Sequence, residues 1–550
     1  MKSLISFFLS LVILSTIEAQ TMKTAFINGK IYTVNEKQPL AQSVIVEGNK
    51  ILFVGSDIEV KQFIDSNTKV IDLYGKLMLP GFIDNHVHFI SGGFYLLGID
   101  LRPANSTTEF RTILREYVSK YPSKWITGGY WDHEKWEVKE LPTKEMIDDI
   151  APNTPVFVER LDGHMGLANS YAMKLAGITK DTESPDGGLI VKDPKTGEPT
   201  GVLKDNAMNF IYNIIPSATS QENYDAALAA LEEAKSLGIT SVQDITFEDA
   251  LTTFQKIKEE GKLTCRIFTR WPISDYKNLV DKNINIGYGD DFIRMGSLKA
   301  FADGSLGSST AWFFERYNQD TTSTGLPMDI ITDGSMEKWG LDADKNHLQL
   351  SVHAIGDKAN SYMLDLYEKI IKQNPKWDRR FRLEHAQHVR FEDIKRFAEL
   401  GVIASVQPYH CIDDGVWAEK RIGPERIKYT YPFKSFLDAG VKMCFGTDWY
   451  VAPLNPLLGI YAAVTRRTLD NKNPDGWIPE QMISVEDAIK CYTINSAYAS
   501  FEENIKGTIE TGKLADLIIL SDDILTIDPI KIKDVKVEMT MFDGKIIYNK

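Results

Sequence analysis

Two histidines one residue apart, His86 and His88 in Leu79-Pro-Gly-Phe-Ile-Asp-Asn-His-Val-His88, open the set of residues here that could do chemistry. A strand sends residues i and i+2 to the same face, so a strand over 82–88 aims both imidazoles one way. Two neutral imidazoles converging from one strand can grip a transition-metal ion. A bare His-x-His is also how an ordinary strand ends, so the rest of the chain has to decide. Other polar residues recur after apolar, β-rich runs: Lys299 in Ser297-Leu-Lys-Ala-Phe-Ala-Asp-Gly304, His353 in Leu350-Ser-Val-His-Ala-Ile-Gly-Asp357, His385 in Arg382-Leu-Glu-His-Ala-Gln387, and Asp448 in Cys444-Phe-Gly-Thr-Asp-Trp449. Imidazoles converging in that number without a metal would leave polar groups unsatisfied.

The elements that must position these groups follow from the alternation of apolar runs with helix-compatible stretches. Strands are expected at 82–88, 240–245, 265–271, 298–303, 348–353, 382–386, 402–407 and 442–447, with helices such as 224–237 and 358–373 between them. Eight such strands close a (β/α)8 TIM-like barrel, whose catalytic side chains stand at the C-terminal strand ends. The fold class is therefore α/β. The chain's two ends read instead as strands and turns, with Asn28-Gly29, Gly48-Asn49 and Asp543-Gly544 as hairpin turns. A small β-sandwich domain built from 20–77 plus 505–550 is expected to flank a barrel domain at 78–504. About 150 residues separate the first two barrel strands, far more than a plain connection needs. Residues 104–222 are read as a large α/β insertion after strand 1, overhanging the site as lid or wall. From it, Asp162 and His164 are candidate substrate-binding residues, with Trp131 a weaker one. His410, after strand seven, is another. His347 and His388 are expected to be structural, and Trp449 either an apolar wall or core.

Composition narrows the function. The chain has 550 residues and a net charge of −14, which argues against a phosphate-binding surface and against nucleic acid. Met1-Lys2-Ser3, an apolar run from Leu4 to Leu14 and a small residue at Ala19 read as a cleaved signal peptide over 1–19. The expected location is secreted or periplasmic, with no membrane contact beyond export. The four cysteines, Cys265, Cys411, Cys444 and Cys491, lie far apart in apolar segments and read as buried thiols.

The order His-x-His, Lys, His, His, Asp on strands one, four, five, six and eight resembles the amidohydrolase superfamily. The flanking stretches are similar to its amidohydrolase-3, YtcJ-like branch, which includes N-substituted formamide deformylases. They are Pro80-Gly-Phe-Ile-Asp-Asn-His-Val-His88, Leu161-Asp-Gly-His-Met-Gly-Leu-Ala-Asn-Ser170, Leu298-Lys-Ala-Phe-Ala-Asp-Gly-Ser-Leu-Gly-Ser308 and Lys506-Gly-Thr-Ile-Glu-Thr-Gly-Lys-Leu-Ala-Asp516. The resemblance implies that His86, His88 and Asp448 bind one metal and His353 and His385 a second. Lys299 would bridge them as a CO2-derived carbamate, and Asp448 would also serve as catalytic base. One or two divalent ions are implied, with zinc the default for an imidazole-rich site. The implied function is metal-dependent hydrolysis of a non-peptide carbon–nitrogen bond, an amide or N-substituted formamide, by activated water. A lactonase, phosphoester hydrolase or deaminase on the same scaffold is the alternative. The partner is a small-molecule substrate, and a homodimer is compatible. One departure stands out: the family usually carries Arg where this chain has Ser309.

Overall fold

A computed structural model describes residues 23–121, 125–133, 136–138, 140–160, 165–185, 188–246, 249–307 and 309–550. The expected signal segment, Asp162 and His164 lie outside the described residues. Eight parallel strands form the central sheet: β1 (Phe82–Val87), β2 (Ile239–Ile245), β3 (Arg266–Pro272), β4 (Ile293–Phe301), β5 (Leu350–Ala354), β6 (Arg382–His385), β7 (Ile403–Val406) and β8 (Met443–Phe445). Each pairs with its sequence neighbour, the arrangement of a parallel barrel. β4 begins at Ile293 rather than 298, because Arg294 and Met295 pair with Phe268 and Thr269 of β3. The polar and glycine residues there hide the strand from periodicity. Gly296 belongs in it because a Cβ would lie 2.3 Å from the Phe268 ring.

The edge strands β1 and β8 meet just past β8. Asp448 N donates to His86 O at 2.7 Å, and His88 N donates to Trp449 O at 2.8 Å. The Asp84 carboxylate accepts from Thr447 N at 3.0 Å and Thr447 Oγ1 at 2.5 Å. A side chain at Gly446 would bring its Cβ within 2.5 Å of His86 N, so this seam requires glycine. The helix Ser220–Ser236, which leads into β2, starts on a capping box formed by Thr219 and Glu222.

Two further sheets lie together. One orders Lys50–Gly55, Ser43–Glu47, Lys23–Ile27 and Thr68–Asp72; the other orders Lys545–Asn549, Val537–Phe542, Leu517–Leu520, Leu77–Pro80, Lys30–Tyr32 and Leu40–Ala41. Strands from both chain ends thus share a sheet. Phe26, Val44, Met78, Leu517 and Met541 form the buried layer between the sheets. The Gly48-Asn49 and Asp543-Gly544 turns join paired strands. Asn28-Gly29 does not make a hairpin. Lys23–Ile27 pairs with Ser43–Glu47 and Lys30–Tyr32 with Leu40–Ala41 and Leu77–Pro80. The hydrogen-bonding groups of that turn are taken by Asp57, Asp72 and Gln42, so it is a corner between sheets.

Between β1 and β2 the chain builds a four-stranded antiparallel sheet, Phe157–Glu159, Met165–Ala168, Pro199–Asp205 and Gly188–Lys192. The helix Thr107–Lys120, capped by Ser106 Oγ on Glu109 N at 3.1 Å, buries Phe110 and Leu114 in this region's own core. All four cysteines are buried and free. No helix among the described residues is long and apolar enough to cross a membrane.

Candidate metal centre

The polar strand ends converge at the C-terminal mouth of the barrel. His86 ends β1 inside the strand, whereas His88 lies just beyond it, at the start of the helix Phe89–Leu97. Both Nε2 atoms nonetheless approach Asp448 Oδ1, at 3.5 Å from His86 and 3.4 Å from His88. The ligand atoms of His86, His88 and Asp448 all lie within 4.8 Å of one another, as do those of His385, His410 and Asp448. Asp448 is therefore shared between two groups, each able to hold an ion. Burial pushes its carboxyl up, but the hydrogen bond from His88 and the His86 and His385 rings outweigh this and hold it well below the usual range.

A buried polar layer lies beneath. Glu384, on β6, accepts from His86 Nδ1 at 2.5 Å, Ser351 Oγ at 2.6 Å and Ser405 Oγ at 2.5 Å. It also pairs with Arg270 at 3.1 Å and Arg382 at 2.9 Å, all three side chains being fully buried. The two guanidinium groups hold its carboxyl well below the ordinary range despite burial. Because Glu384 is an anion it can only accept, so His86 Nδ1 carries the proton and Nε2 presents a lone pair to the centre. Burial, with Lys299 nearby, lowers the His86 pKa to about 3, so the ring is neutral. Asn85, Gln243 and Ser405 complete the layer by bonding to Arg382.

On the opposite side, burial lowers the Lys299 amine to about 7, with Arg270 and Arg382 adding to the effect and Glu384 and Asp448 opposing it. Among the described residues, Lys299 Nζ, His385 Nδ1 and His410 Nε2 are buried without a hydrogen-bond partner. Orphaned buried donors and acceptors cost stability unless something satisfies them, and a cation satisfies imidazole lone pairs. These residues therefore fit a metal. His385 takes a positive φ of 72° at the end of β6, which turns its ring toward His353, 4.4 Å away between centroids. His353 stands apart from the two groups. Its Nε2 donates to Gly304 O at 3.0 Å, which leaves Nδ1 as its lone-pair nitrogen.

The expected substrate residues separate. His410 is at the centre, next to Asp448 and His385. Trp131 is not: it is fully buried in the core of the inserted region, and its indole N–H donates to Val158 O at 2.8 Å. Its size and apolarity place it there, stacked near Trp136. The inserted region reaches the mouth through Tyr130, packed 5.5 Å from Tyr95, which in turn lies 6.4 Å from Tyr450, the neighbour of His88. Trp449 is core, against Phe89 and over Gly92. His388 is buried on Thr430 Oγ1 at 2.8 Å, and His347 packs at a tilt against Trp377. At Ser309, where the resemblance led one to expect arginine, the guanidinium of Arg421 donates to the hydroxyl. Sequence reasoning missed Glu384 as a partner of His86, though it directly precedes His385. The available signal was an acidic residue inside a short strand otherwise bound for burial.

Comparison with known proteins follows the same lines. The profile described as the amidohydrolase family matches residues 69–548. Protein LONG AFTER FAR-RED 3 of Arabidopsis thaliana is 39% identical, over 90% of this chain and 86% of its own. The putative amidohydrolase YtcJ of Bacillus subtilis is 31% identical over 96% and 100%. An N-substituted formamide deformylase of Arthrobacter pascens is 27% identical over 95% and 98%. A solved structure, an uncharacterized metal-dependent hydrolase from Pyrococcus horikoshii OT3, superposes with a TM-score of 0.78 at 29% identity, covering 92% of this chain and 99% of that one.

Proposed function

The chain belongs to the amidohydrolase family, and from that premise we propose that it hydrolyses the amide or N-substituted formamide bond of a small molecule, with Asp448 as general base. Carrying this reading is the convergence of two ligand groups on the one carboxylate of Asp448. His86, His88, His385 and Asp448 would hold one or two divalent ions, zinc by donor chemistry, with His353, His410 and Lys299 beside them. A bound ion lowers the pKa of water from about 16 towards 7 and polarises a carbonyl.

The chain's own groups do the rest. Glu384 fixes the His86 tautomer and thereby the direction of its lone pair. Asp448, held ionised, accepts a proton from the attacking water and passes it to the departing nitrogen, which leaves as an amine. The acyl carbon leaves as a carboxylate. Lys299, whose amine loses its proton near pH 7, can add to CO2: an N–C bond forms, a proton is released, and the lysine becomes an anionic oxygen donor. Glu384, Arg270 and Arg382 form a fully buried ion-paired layer beneath the centre.

The test is a screen of N-acyl and N-formyl amines with the purified protein, zinc or another divalent ion supplied, and metal content measured in parallel. Turnover of at least one amide that is lost on chelation and restored by metal is expected. Metal-loaded protein inert on every amide, yet active on a lactone or phosphoester, would refute the reading.

A further inference from the structure

A cavity of about 390 Å³ opens at the mouth of the barrel among the ends of β2, β3 and β4. Its walls are mostly apolar and include Ile245, Pro272, Ile273, Phe301, Met328 and Trp339, while Lys299 and Arg270, with Thr246, Ser274 and Asp329, are the polar residues of the lining. Arg270 is already committed to Glu384 at 3.1 Å, whereas Lys299 Nζ has no hydrogen-bond partner among the described residues. A dry apolar cavity of about 150 Å³ accommodates benzene. This one is therefore large enough for a phenyl group and a short linker. Phe301 is 39% exposed, with its ring 4.6 Å from Lys299 Nζ and 5.2 Å from His353. Met328, 38% exposed, adds a deformable apolar surface. Small-molecule sites have this character, apolar walls with a few placed polar groups.

The strand order decides which part of a substrate belongs there. In an eight-stranded barrel with sequential neighbours, β4 lies across from β8. Asp448 follows β8, so it faces the cavity from the far side of the centre. A nitrogen that takes its proton from Asp448 lies on the β8 side. The other substituent of the carbonyl carbon then points toward β4.

We infer that this cavity holds the acyl substituent of the substrate, so that the enzyme favours amides of apolar, phenylalkyl-sized carboxylic acids over amides of small acids with bulky amines. This rests on the amide half of the proposed function, not on the formamide half, whose carbonyl carbon bears only hydrogen, and on Asp448 as proton donor. The test uses the full protein with its metal and two readouts. By calorimetry, 3-phenylpropanoate should bind at least about tenfold more tightly than acetate, the scale of an apolar group in a fitted pocket. Met328→Asp, at a part-exposed wall position, should abolish that advantage, and Met328→Trp, which fills the cavity, should reduce it. In hydrolysis, kcat/KM for N-methyl-3-phenylpropanamide should exceed that for N-phenethylacetamide by about tenfold or more. Equal binding of the two acids by the wild type, or no change in the Met328 variants, overturns the cavity's role whatever the reaction. A preference for N-phenethylacetamide overturns the acyl assignment. Tight binding of 3-phenylpropanoate without cleavage of either amide overturns amide hydrolysis instead and leaves the cavity with an apolar carboxylate ligand.

Discussion

The two halves of the centre are held in different ways. His86, His88 and Asp448 sit on the seam where β1 meets β8, and backbone hydrogen bonds of the closure itself fix them: Asp448 N to His86 O and His88 N to Trp449 O. His86 is fixed again through Glu384. Across the barrel, Lys299 Nζ and His385 Nδ1 make no hydrogen bond among the described residues, and His353 is turned to Gly304 O. The seam half is preorganised by the fold. The β4–β6 half ends in buried polar atoms that lack a hydrogen-bond partner among the described residues. Preorganised groups do chemistry without reorganising at the moment of reaction, which suits the seam half to the proton transfer proposed for Asp448.

Replacing Asp448 by Asn is the strongest way to sharpen this contrast. Turnover should fall by roughly a thousandfold or more, within the range attributed to a lost general base and a charged group together. Circular dichroism should stay unchanged, since the backbone bonds of the seam remain. Near-native kcat would break the assignment. Next in size, Glu384→Gln removes the anion between two buried guanidinium groups. A loss of about 3–5 kcal/mol in unfolding free energy is expected, because a buried charge is left uncompensated. Metal affinity should drop by roughly 10–100-fold through the freed His86 ring. Denaturant titration and metal competition measure the two, and a neutral result in both would show that the seam holds itself without Glu384.

Lys299→Ala tests the other half. Activity should drop by roughly a hundredfold, the scale of one lost electrostatic contact in a water-poor site. Metal stoichiometry should fall, and added short carboxylic acids should restore part of the activity. Wild-type metal content with no rescue would argue against a carbamate. The smallest effect concerns pH. His388 titrates near 3 in the fold because it is buried and faces Arg426, against 6.5 when exposed. Between those values the unfolded chain binds a proton that the native one does not. Stability therefore falls as pH drops from about 6.5 toward 3. His388→Asn should flatten that slope by less than one proton's worth in urea titrations over this window, and an unchanged slope would place the acid sensitivity elsewhere.

Much of this was legible in the residues. Each of the barrel strands lies where an apolar run met a helix-compatible stretch, and Asp448, His86 and His385 follow such runs directly. Local signals failed where a long-range contact overrides them. The Asn28-Gly29 turn has hairpin chemistry, yet Asp57, Asp72 and Gln42 take up its hydrogen bonds and send the chain between sheets. Trp131 could have been an aromatic wall, but the inserted region has a core of its own to fill.

The sequence by itself determined the type and order of the chemistry-bearing groups, because residue type and strand period are local properties. Tertiary structure alone decided which of them meet. His410 joins Asp448 while His353 turns to a carbonyl, and Glu384, one residue from a candidate ligand, becomes the anion that orients His86. Distances across a barrel depend on how eight strands close and on which buried charges need partners, and neither is written in the spacing along one strand.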